Sequence, residues 1–283
     1  MGAFALAELR TDVINALCSN ETLHDMLVLK GGNALSLVHK IGNRVSTDLD
    51  FSLTSDFENL EEARNLIEAS LQVHLKDKQL CVFDVTIQKR PKTDRSNSRW
   101  LGYLVNFKII EEERFHLFKD NPQKMSIVAI PLEEKSQKKK FTVDLSCHEY
   151  TESKIEVDLN DYPLYVYSKE MIGIEKMRAL CQQMPEYSKR THPARRPRDL
   201  YDIVCIEDEE AFVLEKNKDI AKKIFGAKDV PLELLRNLES CREFHRLEWS
   251  SVQIAVGDNE ISYDTYFERT KELAILAESL WNK

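Results

Sequence analysis

The stretch Leu29–Leu53, LKGGNALSLVHKIGNRVSTDLDFSL, decides how the chain is read. A short apolar run, Met26–Leu29, passes through Lys30 into Gly31-Gly32 and is broken there. Helical spacing through Ala34, Leu35, Val38 and Ile41 begins at once, with Asn33 as N-cap candidate and Gly42-Asn43 as the stop. A strand, two glycines and a helix start present backbone N–H groups to an anion, and the missing Cβ atoms let a phosphate approach closely. By itself a glycine pair before a helix also serves as a plain strand-to-helix turn. Asp48–Leu53 then alternates polar and apolar, the period of a half-buried strand. Asp48 and Asp50 therefore share one face, while Leu49 and Phe51 point to the core. Paired carboxylates repel unless a cation sits between them, and a hard, oxygen-seeking ion such as Mg2+ fits. Two acids on a solvated strand face are the other reading.

Working outward, Phe141–Cys147 is a strand pattern that puts Thr142, Asp144 and Ser146 on one face. If it neighbours the Asp48/Asp50 strand, Asp144 becomes a third carboxylate; otherwise it is an outward-facing polar residue. Three carboxylates can hold two metal ions ~4 Å apart, the arrangement for in-line nucleotidyl transfer. Leu80–Gln88 and Leu101–Ile110 are further strand candidates, and Asn59–Lys76 is a strong helix pattern. Lys89–Arg99 and Glu111–Lys124 read as hairpin or surface connections, and Glu133–Lys140 as a solvated loop. From Ser168 the character turns helical: Lys169–Gln182, Arg198–Asp208, Lys218–Phe225, Pro231–Phe244 and Thr265–Trp281. The expected organisation is a mixed sheet with flanking helices over residues 1–165, then a helical domain over 166–283.

The chain has 283 residues, 40 Lys+Arg against 48 Asp+Glu and a net charge of -8. That balance excludes a protein that coats nucleic acid by bulk charge, though not a local basic groove. There is no run of ~18 apolar residues to cross a membrane. Met1–Asn20 carries Glu8, Arg10 and Asp12 within an amphipathic pattern of Leu6, Leu9, Val13 and Leu17, unlike a secretory signal. The six cysteines make no CxxC pair or zinc-like cluster and suit a reducing cytoplasm.

Three blocks together resemble a known family. Gly31-Gly32 followed by Arg44, Ser46, Asp48, Asp50 and Phe51 in R-x-S-x-DLDF is similar to the signature of AbiEii/AbiGii-type nucleotidyltransferase toxins. Glu170–Leu180, with Lys176, resembles that family's helical lysine motif, and Arg198–Ile203 its R-D-L-Y-D motif. The blocks come in family order. The resemblance implies an α+β fold: a DNA polymerase β-like nucleotidyltransferase domain followed by a helical domain that contributes the lysine and R-D-L-Y-D motifs. It implies Asp48, Asp50 and Asp144 as metal ligands, Gly31 and Gly32 against the triphosphate, and Lys176 on the nucleotide phosphates. It implies Asp199, and with it Asp202, as supporting residues. Where many superfamily members carry Gly-Ser, this chain has Gly32-Asn33, whose amide donates the same hydrogen bond.

The residues also have plainer readings. Lys176 lies among Ile172, Ile174, Met177 and Leu180, snorkelling or reaching a buried anion. Arg198 and Asp202 are i,i+4 neighbours and can form a structural ion pair. Arg44 and Ser46 contact phosphate or fix the loop before the strand. Lys138–Lys140 and the basic run Lys189–Arg198 flank the site blocks and suggest a path for a polyanionic acceptor such as a tRNA end. His148 and His192 read as surface or structural residues.

The expected activity is Mg2+-dependent transfer of NMP from an NTP to RNA, at a tRNA 3′ end. By resemblance the protein is a toxin neutralised by a cognate antitoxin. Transfer to a small molecule or a protein side chain, and a non-catalytic nucleotide-binding module, are the competing readings.

Overall fold

The computed structural model describes residues 3–44, 46, 48–91, 101–131, 138–189, 192–209 and 212–282. The chain divides into two compact units, one of residues 1–33, 47–148 and 156–166, the other of residues 34–46, 149–155 and 167–283.

The first unit is built on a seven-stranded sheet in the order β3-β4-β5-β2-β1-β7-β6. Its strands are β1 (Leu27–Lys30), β2 (Leu49–Leu53), β3 (Leu80–Arg90), β4 (Gly102–Glu111), β5 (Phe141–Ser146), β6 (Ile155–Leu159) and β7 (Tyr162–Val166). The sheet is mixed: β1 runs antiparallel to β2 but parallel to β7, β2 is parallel to β5, and β3-β4-β5 is antiparallel. Helices α1 (Ala3–Cys18) and α4 (Leu60–Lys76) pack on each other, α4 on β3 and α1 on β7. The amphipathic pattern explains this: Leu9, Val13 and Leu17 of α1 and Ala63, Ile67 and Leu71 of α4 are buried. Asn59 caps α4 by accepting from the N–H groups of Glu61 and Glu62. Leu27, Val28 and Leu29 of the central β1 are all buried, as in a strand covered on both faces.

Several local expectations change. The helix after the glycines starts at Gly31 rather than being capped by Asn33: α3 (Gly31–Asn33) is one turn that runs on as a π-helix, Ala34–His39. The stop is Lys40 rather than Gly42: Lys40 follows the helix with φ +57 and Ile41 N bonds back to the Leu35 carbonyl at 3.0 Å, while Gly42, also left-handed at φ +71, lies farther on. Glu111–Lys124 is not a bare connection. It holds α5 (Glu112–Phe118) and the start of α6 (Pro122–Val128), with Pro122 in the first turn, where a missing N–H costs nothing. The α2 turn (Glu21–Met26) precedes β1. The β6–β7 hairpin has a mechanism readable afterwards: Asn160 and Asp161 both have positive φ, the turn that matches strand twist. Residues 92–99 of the Lys89–Arg99 connection and 133–137 of the acidic-basic loop lie outside the described residues.

The second unit is helical: α7 (Lys169–Cys181), α8 (Pro197–Asp208), α9 (Lys218–Ala227), α10 (Arg242–Arg246), α11 (Ser250–Val256) and α12 (Tyr263–Trp281). Pro231–Phe244, expected as one helix, is a 3-10 run over Leu232–Cys241 followed by α10. Polar contacts draw the two early segments into this unit. His39 Nε2 bonds the Tyr167 carbonyl at 2.8 Å and Asn43 N donates to the Tyr201 hydroxyl at 3.3 Å. Glu149 is gripped by Arg178 at 3.4 Å and Lys228 at 3.3 Å, with all three side chains covered. All six cysteines are free thiols. Among the described residues no helix is long and apolar enough to cross a membrane.

Gly102 opens β4 where β5 comes closest: a Cβ there would stand 2.5 Å from the Leu145 carbonyl oxygen. Backbone cannot yield as a side chain tip can, so Gly102→Ala is expected to cost about 1–3 kcal/mol. Urea unfolding monitored by circular dichroism measures it; an unchanged midpoint would contradict the close approach.

Candidate active site

Two charged constellations emerge, one in each unit. In the first unit the register places Asp50 directly beside Asp144 across β2 and β5, and Lys30 directly opposite Asp50 across β1 and β2. Residues in one row of a sheet project from the same face, so an ammonium and two carboxylates share it. Asp48, just before β2, is exposed, Asp50 and Asp144 are half-buried, and Lys30 is buried. Farther along the same face Ser52 is fully buried. The acids therefore stand at the open end of an otherwise covered surface. Burial pushes the Asp144 carboxyl above its usual range, and the charge of Asp48 adds to this; Lys30, Arg90 and a hydrogen bond from Ser146 oppose it.

The glycine turn is shaped around these acids. Gly31 has φ +70, and a Cβ on it would lie 2.8 Å from Asp50 Oδ2. No other residue type accepts both the left-handed backbone and that approach. Asn33 is buried and its Nδ2 donates to the Asp48 carbonyl at 2.5 Å. One amide hydrogen of the residue expected on phosphate is thus spent on the strand that carries the acids.

As a donor set, carboxylate oxygens side by side, one of them desolvated, suit a hard divalent cation. The third carboxylate is not gathered in: among the described residues no group of three or more His, Cys, Asp or Glu side chains stands close enough to hold an ion. The in-register pair is Asp50 and Asp144, with Asp48 ahead of it.

In the second unit α7 and α8 bring together the lysine and R-D-L-Y-D blocks. Lys176 Nζ sits 2.9 Å from Asp199 Oδ1 and 2.6 Å from Asp202 Oδ2, and all three residues are buried. Arg44 forks onto Asp202, Nε to Oδ1 at 2.7 Å and Nη2 to Oδ2 at 2.5 Å. Arg196 Nη1 reaches Asp199 Oδ2 at 2.8 Å. Asp202 is thus held by Arg44 and Lys176 rather than by its i,i+4 neighbour Arg198. Burial alone would depress the Lys176 ammonium, but Asp199 and Asp202 outweigh it and hold its pKa above the usual value. Arg44 is raised likewise against its burial by Asp202. Burial would raise Asp199, yet Lys176 and Arg196 hold its carboxyl far below the normal range. Lys176, Arg44 and Asp199 are thus each held toward their charged forms despite burial. Ser46 is buried.

His245 completes this cluster and had no signal in the sequence beyond its identity. Fully buried, it accepts the Arg196 N–H on Nδ1 at 3.1 Å, so the proton of the neutral ring sits on Nε2. Burial, with the charge of Arg196, pushes its pKa down to about 4. The basic run is largely paired: Lys189 with Asp229 at 3.3 Å, Arg195 with Glu248 at 3.0 Å, and Arg196 with Asp199. Arg190 and Thr191 lie outside the described residues. Lys139 donates to the Ile127 carbonyl, while Lys138 and Lys140 are exposed.

A family model described as nucleotidyl transferase AbiEii toxin, type IV TA system, matches residues 13–269. The fold is similar to the crystal structure of JHP933 from Helicobacter pylori, at 17% identity and a TM-score of 0.51, over 99% of this chain and 93% of that one. An antigenic nucleotidyltransferase-like protein from Paracoccidioides brasiliensis aligns at 14% identity and a TM-score of 0.36, over 83% of this chain and 98% of that one. No curated protein sequence matches the chain significantly.

Two predictions follow from the buried cluster. Asp202→Asn leaves Arg44 and Lys176 facing a neutral amide, an expected loss of about 3–5 kcal/mol in chemical denaturation, whereas Arg198→Ala changes little. In acid, the unfolded chain protonates His245 below its ordinary pKa of 6.5 while the folded one resists until about 4. Stability is therefore full above pH 6.5 and falls on acidification across that window, by about 3 kcal/mol at most. A pH series of unfolding curves should show this slope in the wild type and a flatter one in His245→Gln.

Proposed function

Because the chain belongs to the nucleotidyl transferase AbiEii toxin family of type IV toxin–antitoxin systems, we propose that it transfers NMP from an NTP to an RNA acceptor, at a tRNA 3′ end. The observation that carries the reading is the side-by-side register of Asp50 and Asp144 at the open end of the sheet face. In this reading Asp50 and Asp144 hold Mg2+, with Asp48 joining them. A divalent cation held by these carboxylates would supply neutralisation of phosphate charge and acidification of the attacking hydroxyl.

The chain's own residues do the rest. Gly31 keeps its Cα clear so that the Asp50 carboxylate can stand against the turn. Asn33 fixes the Asp48 carbonyl and so the direction from which its carboxylate approaches. Within the second unit, Lys176 and Arg44 are held in place by Asp199 and Asp202, which favour the charged form of both cations. The acceptor is a polyanion. The exposed Lys138 and Lys140 and the exchangeable pairs of Lys189 and Arg195 support its recruitment. A type IV system supplies a cognate antitoxin, and relief of growth inhibition by that partner is part of this reading.

The decisive experiment incubates the protein with each radiolabelled NTP in turn, Mg2+ and total RNA. Label is expected in RNA of tRNA size and is expected to fall on the order of a hundredfold or more in Asp50→Ala and Asp144→Ala. The same substitutions should relieve growth arrest on expression. Label found only on protein or on a small molecule overturns the RNA acceptor, and growth arrest that survives Asp50→Ala overturns nucleotidyl transfer as its cause.

A further inference from the structure

Lys30 has no role in the reading above, yet its placement is specific. It is the last residue of β1, buried, and in direct register with Asp50, whose other neighbour in the row is Asp144. A buried ammonium is costly unless a carboxylate faces it, and two adjacent carboxylates are costly unless a cation faces them. The strand register meets both needs with one residue. The next residue, Gly31, admits the Asp50 carboxylate against its Cα, which keeps that carboxylate close to the turn that Lys30 leads into.

We propose that Lys30 is the internal counter-ion of the Asp50–Asp144 pair, a positioning residue that holds the two carboxylates together in the metal-free protein and competes electrostatically with a divalent cation for them. This rests on the assignment of those acids as metal ligands. The consequence is a trade. The Lys30 charge preserves the acid row before metal arrives, and it sets metal affinity lower than the bare carboxylates would.

The test is calorimetric titration of Mn2+ into the wild type, Lys30→Met, Lys30→Arg and Asp50→Asn, with thermal midpoints of the metal-free proteins and of the double variant Lys30→Met/Asp50→Asn. Lys30→Met is expected to bind Mn2+ about tenfold more tightly, since a like charge has been removed from the cation's neighbourhood. Its metal-free midpoint should fall, and adding Asp50→Asn should recover part of that loss, as coupled neighbours do. Lys30→Arg, which keeps the charge, should bind like the wild type. Should Lys30→Met not fold, Lys30→Gln carries the same expectations. Unchanged or weaker Mn2+ binding in Lys30→Met, with additive midpoints, overturns the counter-ion role alone, provided Asp50→Asn has lost Mn2+ binding. Asp50→Asn that binds Mn2+ as well as the wild type overturns the metal-ligand assignment itself. Weakened NTP binding in Lys30→Met with untouched Mn2+ affinity assigns Lys30 to the phosphates instead and also overturns the proposal.

Discussion

The parallel pairing of β2 with β5 is the constraint on which the first unit's chemistry depends. It joins strands far apart in sequence and sets Asp50 beside Asp144 in one row. A slip of one residue would turn every side chain of β2 over, sending Asp50 to the core and Phe51 to the acid face. Leu49 and Phe51 prevent that slip by being fully buried on the opposite face, where Val143 and Leu145 of β5 join them. The apolar half of the alternation thus positions the acidic half. Lys30 is fixed by the same logic, because Leu27 and Leu29 of β1 must also be buried.

The second unit relies on a different device. Arg44, Lys176, Asp199, Asp202 and Arg196 form a chain of charges tying a loop residue to two helices. Such a network adds little net stability over well-packed apolar residues, because each ion gives up its hydration. What it does provide is a fixed location for ionised groups in a buried setting. His245 takes part as a neutral acceptor: by receiving the Arg196 N–H it satisfies a backbone donor at the start of α8, just before Asp199.

Much of this was legible in the sequence, for identifiable reasons. The acid-bearing strands could be read because period-two alternation is a local property, and Phe141–Ser146 showed it as clearly as Leu49–Leu53. The glycine turn could be read because Gly31 needs a conformation that few residues adopt. The partners of Asp202 could not. Its neighbour Arg198 offers the expected helical spacing, but Arg44, 158 positions away, has the planar fork that matches the carboxylate. Asn33 shows a related effect: an amide after glycines has the chemistry of a helix cap, and only the fold shows the helix starting at Gly31 with the Asp48 carbonyl within the amide's reach. The short helices between β4 and β5 are too brief for their periodicity to outweigh a connecting-loop composition.

The charge balance takes on a different meaning once the pairs are known. The basic run at 189–198 suggested an attractive surface, but its described cations are mostly matched by Asp229, Glu248 and Asp199. The first two of these pairs are solvent-exposed and worth only ~0–1 kcal/mol each, so a phosphate chain can take over their cations at little cost. The Asp199 pair belongs to the buried cluster and does not exchange so readily. A net charge of -8 is therefore compatible with a local surface whose cations exchange partners easily. The acids that lower its net charge are the same ones that organise its cations.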